Sequence, residues 1–183
     1  MEELHDLREI YKLKQVYRQN SVERRKESSA EHSWSCLVLA DYFLSKTEQD
    51  IDRLKVYELL IYHDLVEIDT GDIPLKPGED RDGKEEIEKK AAEKLEKMLP
   101  EPTGKKFRDV FRQFEEQKTI EAKFAKAIDG FDAVLHEADY KEDWEDWTED
   151  FLRKKKEPLF EEFPEIQNSF EKIVKHFRKE GFL

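Results

Sequence analysis

Apolar side chains recur at a spacing of three or four residues along most of this chain, and no segment shows sustained alternation of apolar and polar residues. The clearest stripe consists of Ile120, Phe124, Ile128, Phe131 and Leu135. A repeat near 3.6 residues is typical of an amphipathic helix, whereas a half-buried strand needs a repeat of two. Glycine and proline number only six each and are clustered, so they separate helices rather than interrupt them. The sequence therefore predicts an all-α fold with a single domain.

Capping residues and helix breakers divide the chain into helices and loops. Ser28 or Ser29 can cap a helix, because a serine hydroxyl accepts hydrogen bonds from first-turn N–H groups. The basic stretch 19–28 and the stretch 69–83 are predicted loops, and the second is long enough to be functional. Helices are predicted over residues 2–18, from Ser28 or Ser29, from Asp50 to before Thr70, over 84–98, 104–117 and 119–140, and on either side of Pro158 and Pro164.

The composition excludes several classes of protein. The chain has 183 residues, of which 43% are charged, and a net charge of −12. Its 12 Phe, 6 Tyr and 3 Trp suffice for a core, which excludes a disordered polyelectrolyte. A negative protein repels phosphate backbones, so a nucleic-acid polymer is not an expected partner. One cysteine, Cys36, and the lack of a long apolar stretch or signal peptide predict a soluble cytoplasmic protein without membrane contact.

Ionisable side chains occur at three places where the helical pattern predicts core. His32 shares a face with Cys36 and Leu39; His63, Asp64 and Glu67 continue the stripe Val56-Leu59-Leu60; Asp129 and Asp132 lie beside Ile128. Burying carboxylates without a cation costs several kcal/mol each, and a divalent metal removes that cost. Two imidazoles with two carboxylates suit Mn²⁺, Fe²⁺, Co²⁺ or Zn²⁺. Each residue alone is more typical of a core or surface position, so the prediction rests on their joint occurrence.

Three motifs carry a resemblance to a known family. They are Ala30-Glu31-His32-Ser33-Trp34, His63-Asp64-Leu65-Val66-Glu67-Ile68-Asp69-Thr70-Gly71-Asp72-Ile73-Pro74, and Lys126-Ala127-Ile128-Asp129. Together they resemble the HD-domain metal-dependent phosphohydrolases, and the second motif resembles their 5′-deoxynucleotidase branch. The resemblance covers about residues 8–140, so we expect one HD-type helical domain over 1–183, with C-terminal helices in 141–183 outside the motif-bearing core.

The resemblance implies a ligand set for one divalent metal ion, which is Mn, Co, Fe, Zn or Mg. By position the ligands are His32, His63, Asp64 and Asp129, and Asp132 is the rival for the fourth place. Relatives commonly form homodimers, so a homodimer is also expected.

The same resemblance implies roles around the metal. Glu67 matches the acid/base position, and Asp72 matches the position that holds a sugar hydroxyl or the attacking water. Arg18, with Arg24 or Arg25, is expected to bind the phosphate of a small nucleotide substrate. The family often follows the first arginine with tryptophan, whereas this chain has Gln19.

The leading prediction is hydrolysis of (deoxy)nucleoside 5′-monophosphates. An alarmone or cyclic-nucleotide hydrolase is an alternative, although alarmone hydrolases usually carry Glu-Asp after the His-Asp motif and here Ile68 follows Glu67. A non-catalytic nucleotide-binding regulatory protein is the third. An Asp64→Ala variant separates the enzyme from the regulatory protein. In an enzyme the substitution must abolish phosphate release, whereas in a regulatory protein it need not alter partner binding.

Two other sequence features receive no functional interpretation. The run Arg153-Lys154-Lys155-Lys156 is predicted to be a solvated helix face. His136 is predicted to point to solvent.

Overall fold

The computed structural model describes residues 2–78 and 83–183, and these residues are helical apart from one short hairpin and the connecting loops. The predicted all-α fold is confirmed. In chain order the elements are α1 (Glu2–Leu7), a 3-10 helix (Arg8–Gln15), β1 (Tyr17–Val22), β2 (Arg25–Ser28), α2 (Ser29–Leu44), α3 (Arg53–Tyr62), a 3-10 turn (His63–Val66), α4 (Glu67–Thr70), α5 (Lys84–Met98), α6 (Thr103–Glu116), α7 (Ile120–His136), two 3-10 turns (Glu137–Asp139 and Lys141–Trp144), α8 (Glu149–Phe160) and α9 (Pro164–Glu180).

The predicted loop 19–28 is wrong, because the chain forms an antiparallel hairpin there. Strands β1 and β2 pair with Tyr17 opposite Ser28 and Val22 opposite Arg25. The inward positions are polar, Asn20 and Glu27 among them, so the strands show no apolar alternation in the sequence. Asp143 holds the hairpin from outside by accepting hydrogen bonds from the Ser21 N–H at 2.7 Å and the Ser21 hydroxyl at 3.0 Å. Side-chain contacts therefore stabilise a strand pair that periodicity cannot reveal.

Several helix boundaries also differ from the predictions. The segment 2–18 is a short α-helix followed by a 3-10 helix, and it ends at Gln15. Helix α3 is capped by Asp52, not Asp50, and its α-helical geometry ends at Tyr62. Helix α7 ends at His136, where Leu135 is 41% exposed rather than buried. Of the predicted loop 69–83, residues 79–82 lie outside the described residues, and 71–78 carry no helix or strand.

Helix α7 is the centre of the fold. It contacts α2, α3, α6, α8 and α9, and Phe124, Ile128 and Phe131 on it are at most 2% exposed. A second, smaller apolar cluster joins the N-terminal 3-10 helix to α5 and α6 around Leu13 and Phe107. Within the described ranges, no helix is both long and apolar enough to cross a membrane. The ionisable side chains considered next lie where α2, the 3-10 turn at His63 and α7 meet.

Candidate functional site

The start of α2 fixes the position of His32. Ser28 caps the helix, as predicted, and its hydroxyl accepts a hydrogen bond from the Glu31 N–H. The Glu31 carboxylate in turn accepts from the Ser28 N–H at 2.9 Å, so the two residues form a capping box. Because His32 lies in the first turn after this cap, its side chain points into the protein and is fully buried.

The two ring nitrogens of His32 face different carboxylates. Nδ1 lies 2.8 Å from Asp132 Oδ2, and Nε2 lies 3.2 Å from Asp129 Oδ1 and 3.9 Å from Asp64 Oδ2. Burial and the charge of Arg18 would lower the pKa of His32, but the interactions with Cys36, Asp129 and Asp132 outweigh them and hold the pKa well above its usual value. The surroundings of Nε2 therefore favour a positive charge at that point.

His63 presents a nitrogen without a hydrogen-bond partner. It follows α3, and its Nδ1–H donates to the Leu60 carbonyl at 2.8 Å, so Nε2 is the nitrogen with the free lone pair. Burial lowers the pKa of this ring, which keeps it neutral. Among the described residues Nε2 has no hydrogen-bond partner, although it lies 3.2 Å from Asp64 Oδ1. A buried polar atom without a partner requires an explanation, and a neutral imidazole nitrogen beside a carboxylate fits a metal ligand.

Asp129 and Asp64 supply negative charge on the same side of the two rings. Burial would raise the pKa of Asp129, but Lys126 at 3.1 Å and the two histidines hold it well below its usual value. The structure thus brings His32, His63, Asp64 and Asp129 together. Asp132 lies behind the ring of His32, on the Nδ1 side, where it also accepts a hydrogen bond from the Ser35 hydroxyl at 3.0 Å.

Two groups of side chains around His32 have possible ligand atoms that all lie within 4.8 Å of one another in the described part of the chain, namely His32 with Cys36 and His63, and His32 with Glu27 and Asp132. The predicted set of His32, His63, Asp64 and Asp129 is not among them. Burial raises the pKa of the Cys36 thiol to about 12, so this sulfur carries its proton in the metal-free protein. In the second group, Asp132 lies at Nδ1 of His32, 2.8 Å away, where it serves as the hydrogen-bond partner of the ring. The set that includes Asp64 and Asp129 fits a cation better, because these two carboxylates face the Nε2 atoms of the two histidines.

Glu67 lies in the first turn of α4 and is nearly buried. Its Oε2 accepts a hydrogen bond from the Ser29 hydroxyl at 2.5 Å. Burial and the neighbouring charge of Asp64 raise the pKa of Glu67 to about 8, although Arg18 opposes the change. This carboxyl group can therefore hold and release a proton near neutral pH.

Asp72 reaches the same region because α4 ends at Gly71. Gly71 has a φ of 71°, a backbone conformation that glycine adopts without the strain of a side chain. Burial raises the pKa of Asp72, and Arg18 partly offsets this.

Of the three predicted phosphate-binding arginines, the structure brings only Arg18 to the site. Its Nη1 lies 3.4 Å from Asp64 Oδ2 and 3.8 Å from Asp72 Oδ1. Arg24 is exposed in the hairpin turn. Arg25 forms a two-pronged ion pair with Glu31 on the surface, at 2.5 and 2.8 Å, and lines a different cleft.

One cavity of about 520 Å³, a size typical of small-molecule sites, is lined by Arg18, His63, Asp64, Glu67, Asp72 and Asp129, and the fully buried His32 lies behind its wall. Its walls include residues to which the sequence interpretation gave no role, Lys126, Lys155, Lys156 and Trp147 among them. Lys126 stands three residues before Asp129, a spacing that places both on one helix face and could have identified it. His136 does not point to solvent as predicted, because its Nε2 lies 2.7 Å from the Ser21 carbonyl oxygen.

Comparisons with known proteins identify the family of this chain. A model of the HD domain family matches residues 10–167. The 5′-deoxynucleotidase HDDC2 of Bos taurus is 29% identical over 119 residues, which are 65% of this chain and 57% of that protein. Its counterpart in Homo sapiens is 28% identical over the same shares of the two chains. The match thus spans less than two thirds of the length of these relatives.

Solved structures extend the similarity to the C-terminal helices. A predicted metal-dependent phosphohydrolase from Magnetospirillum magnetotacticum is 28% identical, with a TM-score of 0.87 over 100% of this chain and 96% of the other. A conserved hypothetical protein from Pyrococcus furiosus is 26% identical, with a TM-score of 0.66 over 94% of this chain and 99% of the other.

Proposed function

Because this chain belongs to the HD domain family, we propose that it is a metal-dependent phosphohydrolase that releases phosphate from (deoxy)nucleoside 5′-monophosphates. The observation that carries the proposal is the buried Nε2 of His63, which has no hydrogen-bond partner within the described part of the chain and lies among Asp64, Asp129 and His32. The names of the relatives, a 5′-deoxynucleotidase and a metal-dependent phosphohydrolase, support the reaction and the substrate class.

Four side chains would hold the metal, namely His32 and His63 through Nε2 and Asp64 and Asp129 through carboxylate oxygens. Two nitrogens and two oxygens are compatible with Mn, Co, Fe, Zn or Mg, and they do not select one of them. When bound, the cation would lower the pKa of a water molecule and neutralise charge on the phosphoryl group. Asp132 would act through His32 by holding the proton on Nδ1, which keeps the ring in the required orientation.

The remaining residues would bind substrate and move the proton. Arg18 would contact non-bridging phosphate oxygens, a role for which a guanidinium group is well shaped. Water would add to phosphorus as the bond to the 5′-oxygen breaks. Glu67 would donate its proton to the departing oxygen and recover one from the attacking water, so the carboxyl group ends as it began. In the metal-free protein, burial raises the pKa of Glu67 to about 8, which suits a carboxyl group that exchanges a proton near neutral pH. Asp72 would hold a sugar hydroxyl or orient the water.

The test is phosphate release by metal-stripped protein resupplied with Mn²⁺ or Co²⁺. The substrate panel contains ribo- and deoxyribonucleoside 5′-monophosphates, a 3′-monophosphate, a cyclic nucleotide and a guanosine polyphosphate. We expect metal-dependent release from the 5′-monophosphates, which Asp64→Ala abolishes. Asp69→Ala is the matched control, because Asp69 lies on the next turn but is exposed and pairs with Lys94. Bound metal without release from any 5′-monophosphate refutes the proposal, and release only from the cyclic nucleotide or the polyphosphate favours the alternative hydrolases.

The homodimer stays a prediction. Light scattering of the purified protein should give twice the chain mass of 22.0 kDa. The cytoplasmic location predicted from the sequence likewise remains to be measured.

A further inference from the structure

Lys156 lies in the cavity, although its sequence context predicted a solvated face. Helix α8 packs closely on α7 at Gly130, where an added Cβ would stand 2.6 Å from Leu159 Cδ1 and 3.9 Å from Lys156 Cδ. Because glycine allows this approach, Lys156 and Leu159 of α8 both line the cavity. Lys154, two residues earlier, remains exposed on the outer side of the same helix.

In the part of the chain that the structure describes, the ammonium group of Lys156 has no carboxylate partner, unlike three other cations of the cavity. Lys76 and Lys155 also lack one there, but Lys76 donates a hydrogen bond to Gln19 and Lys155 is exposed over the ring of Phe151. Arg18 pairs with Asp64 and Asp72, Lys126 pairs with Asp129, and Lys84 pairs with Glu88. Within residues 2–78 and 83–183, no such ion pair is formed by Lys156. Burial lowers its pKa to about 8, and the negative charge of Asp129 opposes this change. A poorly hydrated cation without a counter-ion is costly, and an anionic ligand would remove the cost.

The charges of the other lining residues make this cation significant. Carboxylates outnumber lysines and arginines around the cavity, so an anionic ligand meets net repulsion unless free positive charge faces it. Arg18 and Lys126 are already partly neutralised by the carboxylates they contact. Lys156 is close enough to Asp129, Lys126 and Arg18 to share the electrostatic field of all three.

We propose that Lys156 binds the phosphate group of the ligand, so that helix α8 supplies one of the phosphate-binding residues of this site. The identity of the ligand as a phosphate monoester rests on the proposed function. The residue lies outside the motif-bearing segment 8–140, which is why no motif points to it. Lys156 holds the non-bridging oxygens from the α7–α8 side of the cavity, and Arg18 approaches them from the hairpin.

The test measures binding of inorganic phosphate to the Mn²⁺-loaded protein by titration calorimetry. Lys156→Met should weaken phosphate binding about tenfold to a hundredfold, the usual effect of losing a charge-assisted hydrogen bond. Lys156→Gln should give the same loss, and Lys156→Arg should retain most of the affinity. Lys154→Met, which removes the same charge from the outer face of α8, should bind phosphate like the wild type.

Thermal unfolding in phosphate-free buffer separates binding from structure. Removing an unpaired ammonium should leave the melting temperature of Lys156→Met unchanged or raise it, whereas a structural role would lower it. Wild-type phosphate affinity in both neutral variants, or an equal loss in Lys154→Met, overturns the inference.

The experiments distinguish a failure of this inference from a failure of the proposed function. If no nucleotide is hydrolysed but phosphate binding depends on Lys156, the inference stands and the hydrolase proposal falls. If nucleotides are hydrolysed and Lys156→Met leaves both KM and phosphate affinity unchanged, the inference falls and the hydrolase proposal stands.

Discussion

Replacing Asp132 by Asn should weaken divalent-metal binding without abolishing it. Asp132 is 3% exposed, and its Oδ2 contacts His32 Nδ1 at 2.8 Å and the Ser35 hydroxyl at 3.0 Å. An asparagine oxygen can accept both hydrogen bonds, so the substitution removes the negative charge and little else. Loss of such an outer partner of a ligating histidine typically costs about tenfold to a hundredfold in metal affinity, or roughly 1.4–2.7 kcal/mol.

The contrast with Asp129→Asn decides which aspartate is a ligand. Asp129 Oδ1 lies on the Nε2 side of His32, so its replacement removes a proposed ligand and should reduce Mn²⁺ affinity more than Asp132→Asn does. The assay is competition for Mn²⁺ between each variant and a metal-binding dye, with Asp139→Asn as an exposed control. Wild-type affinity in Asp132→Asn would refute the orienting role. Complete loss in that variant, with retained affinity in Asp129→Asn, would exchange the roles of the two residues.

Three further outcomes follow from the geometry. The raised pKa of Glu67 means that the folded, metal-free protein keeps a proton which the unfolded chain releases, so stability should fall by up to about 4 kcal/mol between about pH 5 and pH 8. The stability of Glu67→Gln, measured by thermal unfolding, should depend less on pH over this range. A pH dependence equal to that of the wild type would contradict the raised pKa of Glu67. Removing bound metal with a chelator should lower the melting temperature, and added Mn²⁺ should restore it, because a ligand stabilises the state that binds it. A melting temperature that responds to neither would argue against a metal site. Gly104→Ala should lower the free energy of unfolding by about 1–3 kcal/mol, because the added Cβ would stand 2.2 Å from the Glu96 carbonyl oxygen. Urea unfolding measures this change, and wild-type stability would show that α5 and α6 can shift apart.

The parts of the structure predicted from the sequence are those that depend on local pattern. The stripe through Phe124 and Ile128 predicts α7, and the serines before His32 predict the cap of α2, because both signals lie within a few residues of the element they form. The position of Lys156 depends instead on how closely α8 approaches Gly130. That contact joins residues far apart in sequence, and the surrounding basic run resembles any solvated helix face.

The hairpin shows the same limit. Glu27 is buried beside Arg18 and His136, and Asn20 is buried on the inner side of β1. The burial of these two polar residues cannot be predicted from their residue types. The resemblance predicts Arg24 or Arg25 beside the phosphate, because the basic stretch before His32 is similar to that of the family. The two-residue turn at Glu23 and Arg24 directs them outward instead. For Asp129 and Asp132 the helical pattern alone does not separate the roles, because both lie on the inner side of α7. The family motif favours Asp129, and the orientation of the His32 ring places the two carboxylates at different ring nitrogens.

That orientation has a consequence for insertions and deletions. Helix α7 provides the carboxylates on both sides of one imidazole ring, Asp129 toward Nε2 and Asp132 toward Nδ1. One residue added or removed between Thr119 and Asp129 would rotate both carboxylates by about 100° relative to the ring, because an α-helix has 3.6 residues per turn. The loop before α7 could absorb the same length change without turning either side chain. Length variation among relatives of this chain should therefore be confined to the connections on either side of α7, while the helix itself keeps a constant length up to Asp132.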